Sequence, residues 1–203
     1  MTIQNLFTTS PVLTASRAMQ KGFTLLELTV VMSIIALIGI FAYPRITTMI
    51  IEARLDPTTR DLAGAVIRIR ANAEGTGNTP YVSASASTLA NALRDHSTVL
   101  TVAGAGAAST VQHRLGTTGS QVAVAPATIT TLGDSFTITF SNVNAAVCPS
   151  LATAMQANSE VISINGTVVA RTANAGGLVS YNGQTAQDLC TADNTNTFVF
   201  TLR

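Results

Sequence analysis

The chain has 203 residues, a length that suits one domain with an appendage; 47% of them are hydrophobic and only 10% are charged. Formal net charge is +1, and the densest basic group, Arg60, Arg68 and Arg70, is too short to follow a phosphate backbone, which argues against nucleic-acid binding. Aromatic residues make up 5% and Trp is absent, so Ala, Val, Leu and Ile must fill the core while Thr, Ser, Gly and Asn clothe strands and loops, as in a secreted or surface protein.

The N-terminal region is the most informative. Arg17 and Lys21 precede Gly22 without an acid among residues 1–22, and the 21 residues from Phe23 to Tyr43 hold no base and one acid, Glu27. A conventional signal peptide needs a small-x-small cleavage site after the apolar run, and "IGIFAYPR" offers no convincing one. A plain transmembrane anchor fits the length, since about 20 helical residues span the hydrocarbon core. It leaves Glu27 unexplained, because a carboxylate in lipid is costly unless interfacial or paired. The third reading cuts a leader off before the apolar run.

"KGFTLLELTVVMSIIALIGIFAYP" resembles the processing site and N-terminal helix of a type IV pilin. The resemblance implies that a prepilin peptidase cuts after Gly22, that the new first residue, Phe23, is N-methylated, and that Glu27 is the family's assembly acid. Cleavage creates an α-ammonium on Phe23 that is costly to bury in a filament, and a carboxylate from a neighbouring subunit neutralises it. Glu27 also lies near the helix N-terminus, where the macrodipole favours an anion. Arg17 and Lys21 before the span follow the positive-inside tendency.

From Pro44 the pattern remains helical. Ile46, Met49, Ile50 and Ala53 recur at three- and four-residue spacing, and Leu62, Ala65, Val66 and Ile69 continue the seam. Gly39 and Pro44 are weak points of the first half. Asp56-Pro57 either caps a second helix or kinks one helix running to about Ala73; the resumed phase favours the kink. Arg54, Arg60, Arg68, Arg70, Glu52 and Asp61 are placed toward solvent or other subunits. "AEGTGNTPY" ends the helix, and "STLANALRD" predicts a short one capped by Ser87.

Residues 99–127 read as loop with short strand-like pieces such as "QVAVA". "SFTITFSNV" alternates Phe136, Ile138 and Phe140 against polar residues, a strand with one buried face. In "EVISINGTVVA", Asn165-Gly166 is the strongest hairpin signal, and "NTFVFTLR" closes the chain as a strand. "AAVCPSLATAMQ" gives a helix starting near Pro149. These elements predict an α+β fold, a long N-terminal helix packed on an antiparallel sheet.

"ITFSNVNAAVCPSLATAM" and "LCTADNTNTFVFTLR" are similar to the disulfide-bounded region of type IVb pilins. Cys148 and Cys190 form no CxxC pair; behind an export signal they read as one disulfide closing a loop of about 42 residues, worth roughly 4 kcal/mol. The implied organisation is a leader over residues 1–22, a long helix over 23–74 (23–43 serving as membrane span and filament core), and a globular pilin domain over 75–203 with the disulfide-bounded region 148–190.

No catalytic set is recognisable. His96 and His113 lie apart, outside any HExxH motif, and read as ordinary surface or partly buried residues; there is no GxSxG elbow, and "GAGAAS" lacks a phosphate-loop lysine. Asp188, Asp193 and Asn194 are too few for calcium, so no metal and no cofactor is expected. The function this implies is the major structural subunit of an extracellular type IV pilus serving adhesion, conjugation or motility. Its implied partners are other copies of itself, the prepilin peptidase, the assembly platform, its ATPase and minor pilins, with the inner membrane holding the unassembled pool. The alternatives are a minor pilin or secretion pseudopilin, and a membrane-tethered binding module.

Overall fold

The computed structural model describes residues 22–74, 77–116 and 119–203. The chain divides into two units, residues 1–42 and 43–203. The leader through Lys21, with Arg17, lies outside the described residues.

Helix α1 spans Leu25–Ala53 and passes through Gly39 and Pro44 without interruption. The Thr47 and Thr48 hydroxyls donate to the Pro44 carbonyl at 2.9 and 3.0 Å. Helix α2, Leu55–Ala73, follows after a single non-helical residue, Arg54. The kink expected at Pro57 is therefore a break three residues earlier. A proline ring collides with the carbonyl of the residue four before it, here Ala53, and lacks the N–H that would bond to it. The backbone relieves this at Arg54, whose N–H bonds to Ile51 at 3.1 Å, while the Arg54 carbonyl accepts from the Thr58 N–H and hydroxyl at 3.2 and 2.7 Å. Asp56 caps nothing here; it pairs with Arg60 at 2.8 Å.

Helix α2 is amphipathic, and Leu62, Ala65, Val66 and Ile69 are buried as their spacing predicts. The stripe predicted one stage earlier, Ile46, Met49, Ile50 and Ala53, is exposed instead; Ile51 and Leu55 pack against the core. Several charges placed toward solvent or other subunits act as internal ties. Arg68 donates to the Ala92 carbonyl at 3.2 Å and Arg70 to that of Asn158 at 3.1 Å. Asp61 accepts from the Ser97 hydroxyl and the Thr98 N–H at 2.8 and 3.0 Å.

Helix α3, Ala86–Leu93, is capped by Ser85 rather than Ser87, with Thr88 returning the bond in a capping box. Three strands occupy the stretch that reads as loop with strand-like pieces: β1 (Thr101–Ala103), β2 (Thr110–Gln112) and β3 (Gln121–Thr128), the last of which begins with "QVAVA". Strand β4 (Leu132–Val143), helix α4 (Cys148–Met155), strands β5 (Val161–Ile164) and β6 (Thr167–Arg171), helix α5 (Gly183–Asp188) and strand β7 (Asn196–Leu202) complete the chain. Asn165 and Gly166 both adopt positive φ, 50° and 84°, which the two-residue β5–β6 turn requires.

All pairings are antiparallel, in the order β1-β2-β3-β4-β7-β5-β6. The last strand thus lies inside the sheet, between β4 and β5. Its Phe198, Phe200 and Leu202 stand opposite Phe140, Ile138 and Phe136 of β4, and Phe198 and Phe200 also face Ile164 and Ile162 of β5. All are buried, each aromatic side chain contributing about 1.5–3 kcal/mol by leaving water. They join the buried faces of α2, α3 and α4 in one core, the expected α+β arrangement of an N-terminal helix packed on an antiparallel sheet.

Candidate assembly site

Gly22 and Phe23 lie just before α1, and both are exposed; an added Cβ on Gly22 meets nothing within 4 Å. Thr24 opens the helix: its carbonyl accepts from the Leu28 N–H at 3.1 Å and its Oγ1 from the Glu27 N–H at 3.2 Å. Glu27 is therefore the third residue of α1, in the first turn, where unpaired N–H groups and the helix dipole favour a carboxylate. The Thr-x-x-Glu spacing is the signal in the sequence that marks Thr24 as the cap.

The span beyond is apolar on every side. Among the described residues none of α1 is buried, and Phe23, Leu25, Ile40 and Phe41 are each at least 70% exposed. The polar side chains within it bond to their own helix: Thr29 Oγ1 donates to the Leu26 carbonyl at 2.8 Å, and Ser33 Oγ to those of Val30 and Thr29 at 2.8 and 3.0 Å. Unsatisfied hydroxyls in hydrocarbon are costly, so these bonds suit the segment to an apolar surrounding. One helix among the described residues is long and apolar enough to cross a membrane, and it begins at Leu25.

At the other end of the chain, Cys148 and Cys190 are joined in a disulfide with a Cα–Cα distance of 6.1 Å across 42 residues. Cys148 is buried at the start of α4, and Cys190 follows α5, whose Asn182 cap accepts from the Gln184 and Thr185 N–H groups. Tyr181 donates to the Pro149 carbonyl at 3.0 Å, fastening the segment before α5 to α4. The region closes on Asn196, which is fully buried. Its Nδ2 donates to the Val143 and Thr191 carbonyls, and its Oδ1 accepts from Asn165 and Thr191. Nothing in the sequence marks Asn196, because its partners, Val143, Asn165 and Thr191, come from three separate stretches.

His96 is exposed, whereas His113 is buried. Its Nε2 lies 2.9 Å from the Ser141 carbonyl, its Nδ1 accepts from the Leu115 N–H at 3.1 Å, and its ring packs 5.2 Å from that of Phe140. Burial lowers its pKa to about 4, partly opposed by the Ser141 bond. The imidazole is a neutral core residue joining β2 to β4. The Asn194 side chain is also committed to structure, its Oδ1 accepting from Asn144 at 2.9 Å, and the backbone carbonyl of Asp193 accepts from the Ala145 N–H at 2.8 Å. Among the described residues no cluster of metal-ligating side chains occurs.

Comparison with known proteins matches two stretches of the chain. A family model described as "Prokaryotic N-terminal methylation motif" matches residues 17–43, and one described as "PilS N terminal" matches residues 76–203. No curated protein matches the chain. Among solved structures, a type IV b pilin from Salmonella typhi is similar, with 27% identity and a TM-score of 0.51 over 73% of this chain and 97% of that one. A methylation motif leading into an exposed apolar helix, followed by a matching domain that takes up more than half of the sequence, makes this chain a member of the type IV pilins, a family of structural and non-catalytic proteins.

Proposed function

We propose that the chain is the repeating subunit of an extracellular type IV pilus. A prepilin peptidase cuts between Gly22 and Phe23 and Phe23 is methylated; the subunit then waits in the inner membrane until the assembly platform and its ATPase add it to the fibre. Residues 23–43 serve first as membrane span and then as filament core, and the globular domain with its disulfide forms the outer surface. Glu27 of each copy neutralises the Phe23 ammonium of a neighbour.

The observation that carries this reading is the apolar segment of α1, exposed around its whole circumference, with one carboxylate in its first turn. Such a surface needs lipid or other apolar helices at every stage, and the carboxylate needs a cation wherever water is excluded.

Intact-mass analysis of fibres sheared from cells tests the whole reading. The expected species starts at Phe23, carries one methyl group, has lost two hydrogens to the Cys148–Cys190 bond, and accounts for nearly all fibre protein. A trace amount in fibres built from another subunit would make the chain a minor pilin or pseudopilin instead.

A further inference from the structure

Beyond the C-terminal end of α4, between β6 and residues 178–181, lies an open cleft of about 380 Å³. Its walls include Gln156, Ser159, Glu160, Thr172, Leu178 and Tyr181. The frame around it is tied down. Tyr181 is held to α4 through its hydroxyl, which donates to the Pro149 carbonyl at 3.0 Å and lies 3.1 Å from Thr153 Oγ1. Val179 exchanges both backbone bonds with Arg171 at 2.9 Å, which lays this segment along the outer edge of β6. The disulfide closes the same region. A ligand entering such a cleft has little wall left to order.

Two polar groups in the walls are not used up by the fold. Ser159 is only 9% exposed, and its hydroxyl has no hydrogen-bond partner among the described residues. Buried hydroxyls are nearly always bonded, so an orphan in the wall of a cleft is a place where an incoming group completes the bond. Glu160, the next residue, accepts from the Thr172 hydroxyl through Oε2, and no described residue donates to its Oε1. The exposed Gln156 adds an amide that both donates and accepts. Leu178, 72% exposed, and the half-buried Tyr181 add apolar surface.

This set of groups selects by exclusion. The charged residues of the walls are Glu160 and Arg171, and Arg171 Nη1 donates to the Gly176 carbonyl at 3.4 Å. An anionic ligand therefore meets a carboxylate, and a wholly apolar one would bury Ser159 and Glu160 without partners. What fits is a small neutral molecule whose hydroxyls donate to Glu160 and accept from Ser159, with a C–H face for Leu178 and Tyr181. A pyranose ring has both, and the cleft volume falls in the range of small-molecule sites. We infer that this cleft binds a neutral sugar, held by hydrogen bonds to Ser159, Glu160 and Gln156 and by packing on Leu178 and Tyr181. The site lies wholly within the globular unit and requires neither the apolar helix nor assembly.

The test uses the full chain in a detergent without a sugar headgroup, and saturation-transfer NMR with glucose, galactose, mannose and N-acetylglucosamine as probes. Sialic acid and glucosamine serve as anionic and cationic controls. At least one neutral sugar is expected to receive saturation at millimolar concentration, and both charged controls to receive less. Ser159→Ala and Glu160→Gln should each weaken binding about tenfold, the effect of one hydrogen bond. Ser159→Ala should do so without lowering the melting temperature, since the hydroxyl is bonded to nothing in the fold. Leu178→Asp, at an exposed position, should also weaken binding, whereas Leu132→Asp, similarly exposed but outside the cleft, should not. No saturation of any neutral sugar, a stronger response from either charged control, or unchanged affinity in Ser159→Ala and Leu178→Asp would overturn the inference. Fibre composition plays no part in this measurement, so the filament reading is judged separately.

Discussion

The carboxylate of Asp134 and the guanidinium of Arg203 form an ion pair at the end of the sheet, tying the start of β4 to the residue after β7. Asp134 is buried and also accepts from the N–H groups of Ile129, Thr130 and Thr131 and from the Thr130 hydroxyl. Burial alone would raise its pKa, but those donors, led by the Thr130 hydroxyl, hold it well below the usual carboxylate range. A depressed carboxylate contributes stability that is present above its unfolded pKa, near 4, and lost only as pH falls through the lower folded value. Asp134→Asn is expected to cost about 2–4 kcal/mol at neutral pH, because the amide turns a donor toward donors. Arg203→Ala should cost only about 1 kcal/mol, since the arginine is partly exposed and Asp134 keeps its backbone donors. Denaturant melts of the two variants check the order; equal losses would contradict it.

His113 carries the opposite requirement, because it is folded in its neutral form. Its pKa falls from 6.5 to about 4 on burial, so below pH 6.5 the unfolded chain binds a proton that the folded chain does not. Stability should be fully present above pH 6.5 and decline toward pH 4, by up to about 3 kcal/mol. The measurement is unfolding free energy against pH for the wild type and His113→Gln. The variant is expected to be less stable at pH 7 and to show a flatter slope between pH 4 and 6.5; an unchanged slope would remove His113 as its source.

For the disulfide, chain-entropy arithmetic on a 42-residue loop gives about 4 kcal/mol. Cys148→Ser is expected to lose somewhat more than Cys190→Ser, since Cys148 is wholly buried and a hydroxyl there lacks water. Thermal unfolding of both variants, compared with reduced wild type, decides this.

Gly22→Val concerns the leader. A β-branched side chain beside the scissile bond should block the peptidase while leaving the fold intact, because nothing lies within 4 Å of the position. Full-length protein is expected in the membrane fraction. Mature-sized protein in that variant would move the cleavage site elsewhere.

The charge of Glu27 can be separated from the helix start. The Thr24 cap is bonded by the Glu27 backbone N–H, so Glu27→Gln keeps that bond and removes only the charge. If the carboxylate neutralises a neighbour's Phe23 ammonium, the variant loses about 3–5 kcal/mol at every added subunit. Processing should continue while fibre yield collapses. Thr24→Val does the reverse, losing a cap worth about 1 kcal/mol and keeping the charge, so near-normal fibres are expected. Comparable fibre loss from both variants would assign Glu27 to helix initiation instead.

The sequence by itself determined what local chemistry decides. The apolar run with one acid, the helix end near Ala73, the Asn165-Gly166 hairpin and the alternation of β4 and β7 each follow from steric preference and burial period within a few neighbouring residues. The helix break was signalled by Pro57 but displaced to Arg54, because the clash falls on the carbonyl four residues earlier. Only the tertiary structure decided the rest. Strands β1 and β2 are three residues each and made of small polar and apolar residues without a clear period, so their pairing, not their composition, makes them strands. The interior place of β7, the burial of His113 and the convergence on Asn196 all depend on partners far away in the chain. Arg68 and Arg70 read as solvent-facing charges for the same reason: the carbonyls that hold them belong to Ala92 of α3 and to Asn158, ahead of β5, both far away in the chain.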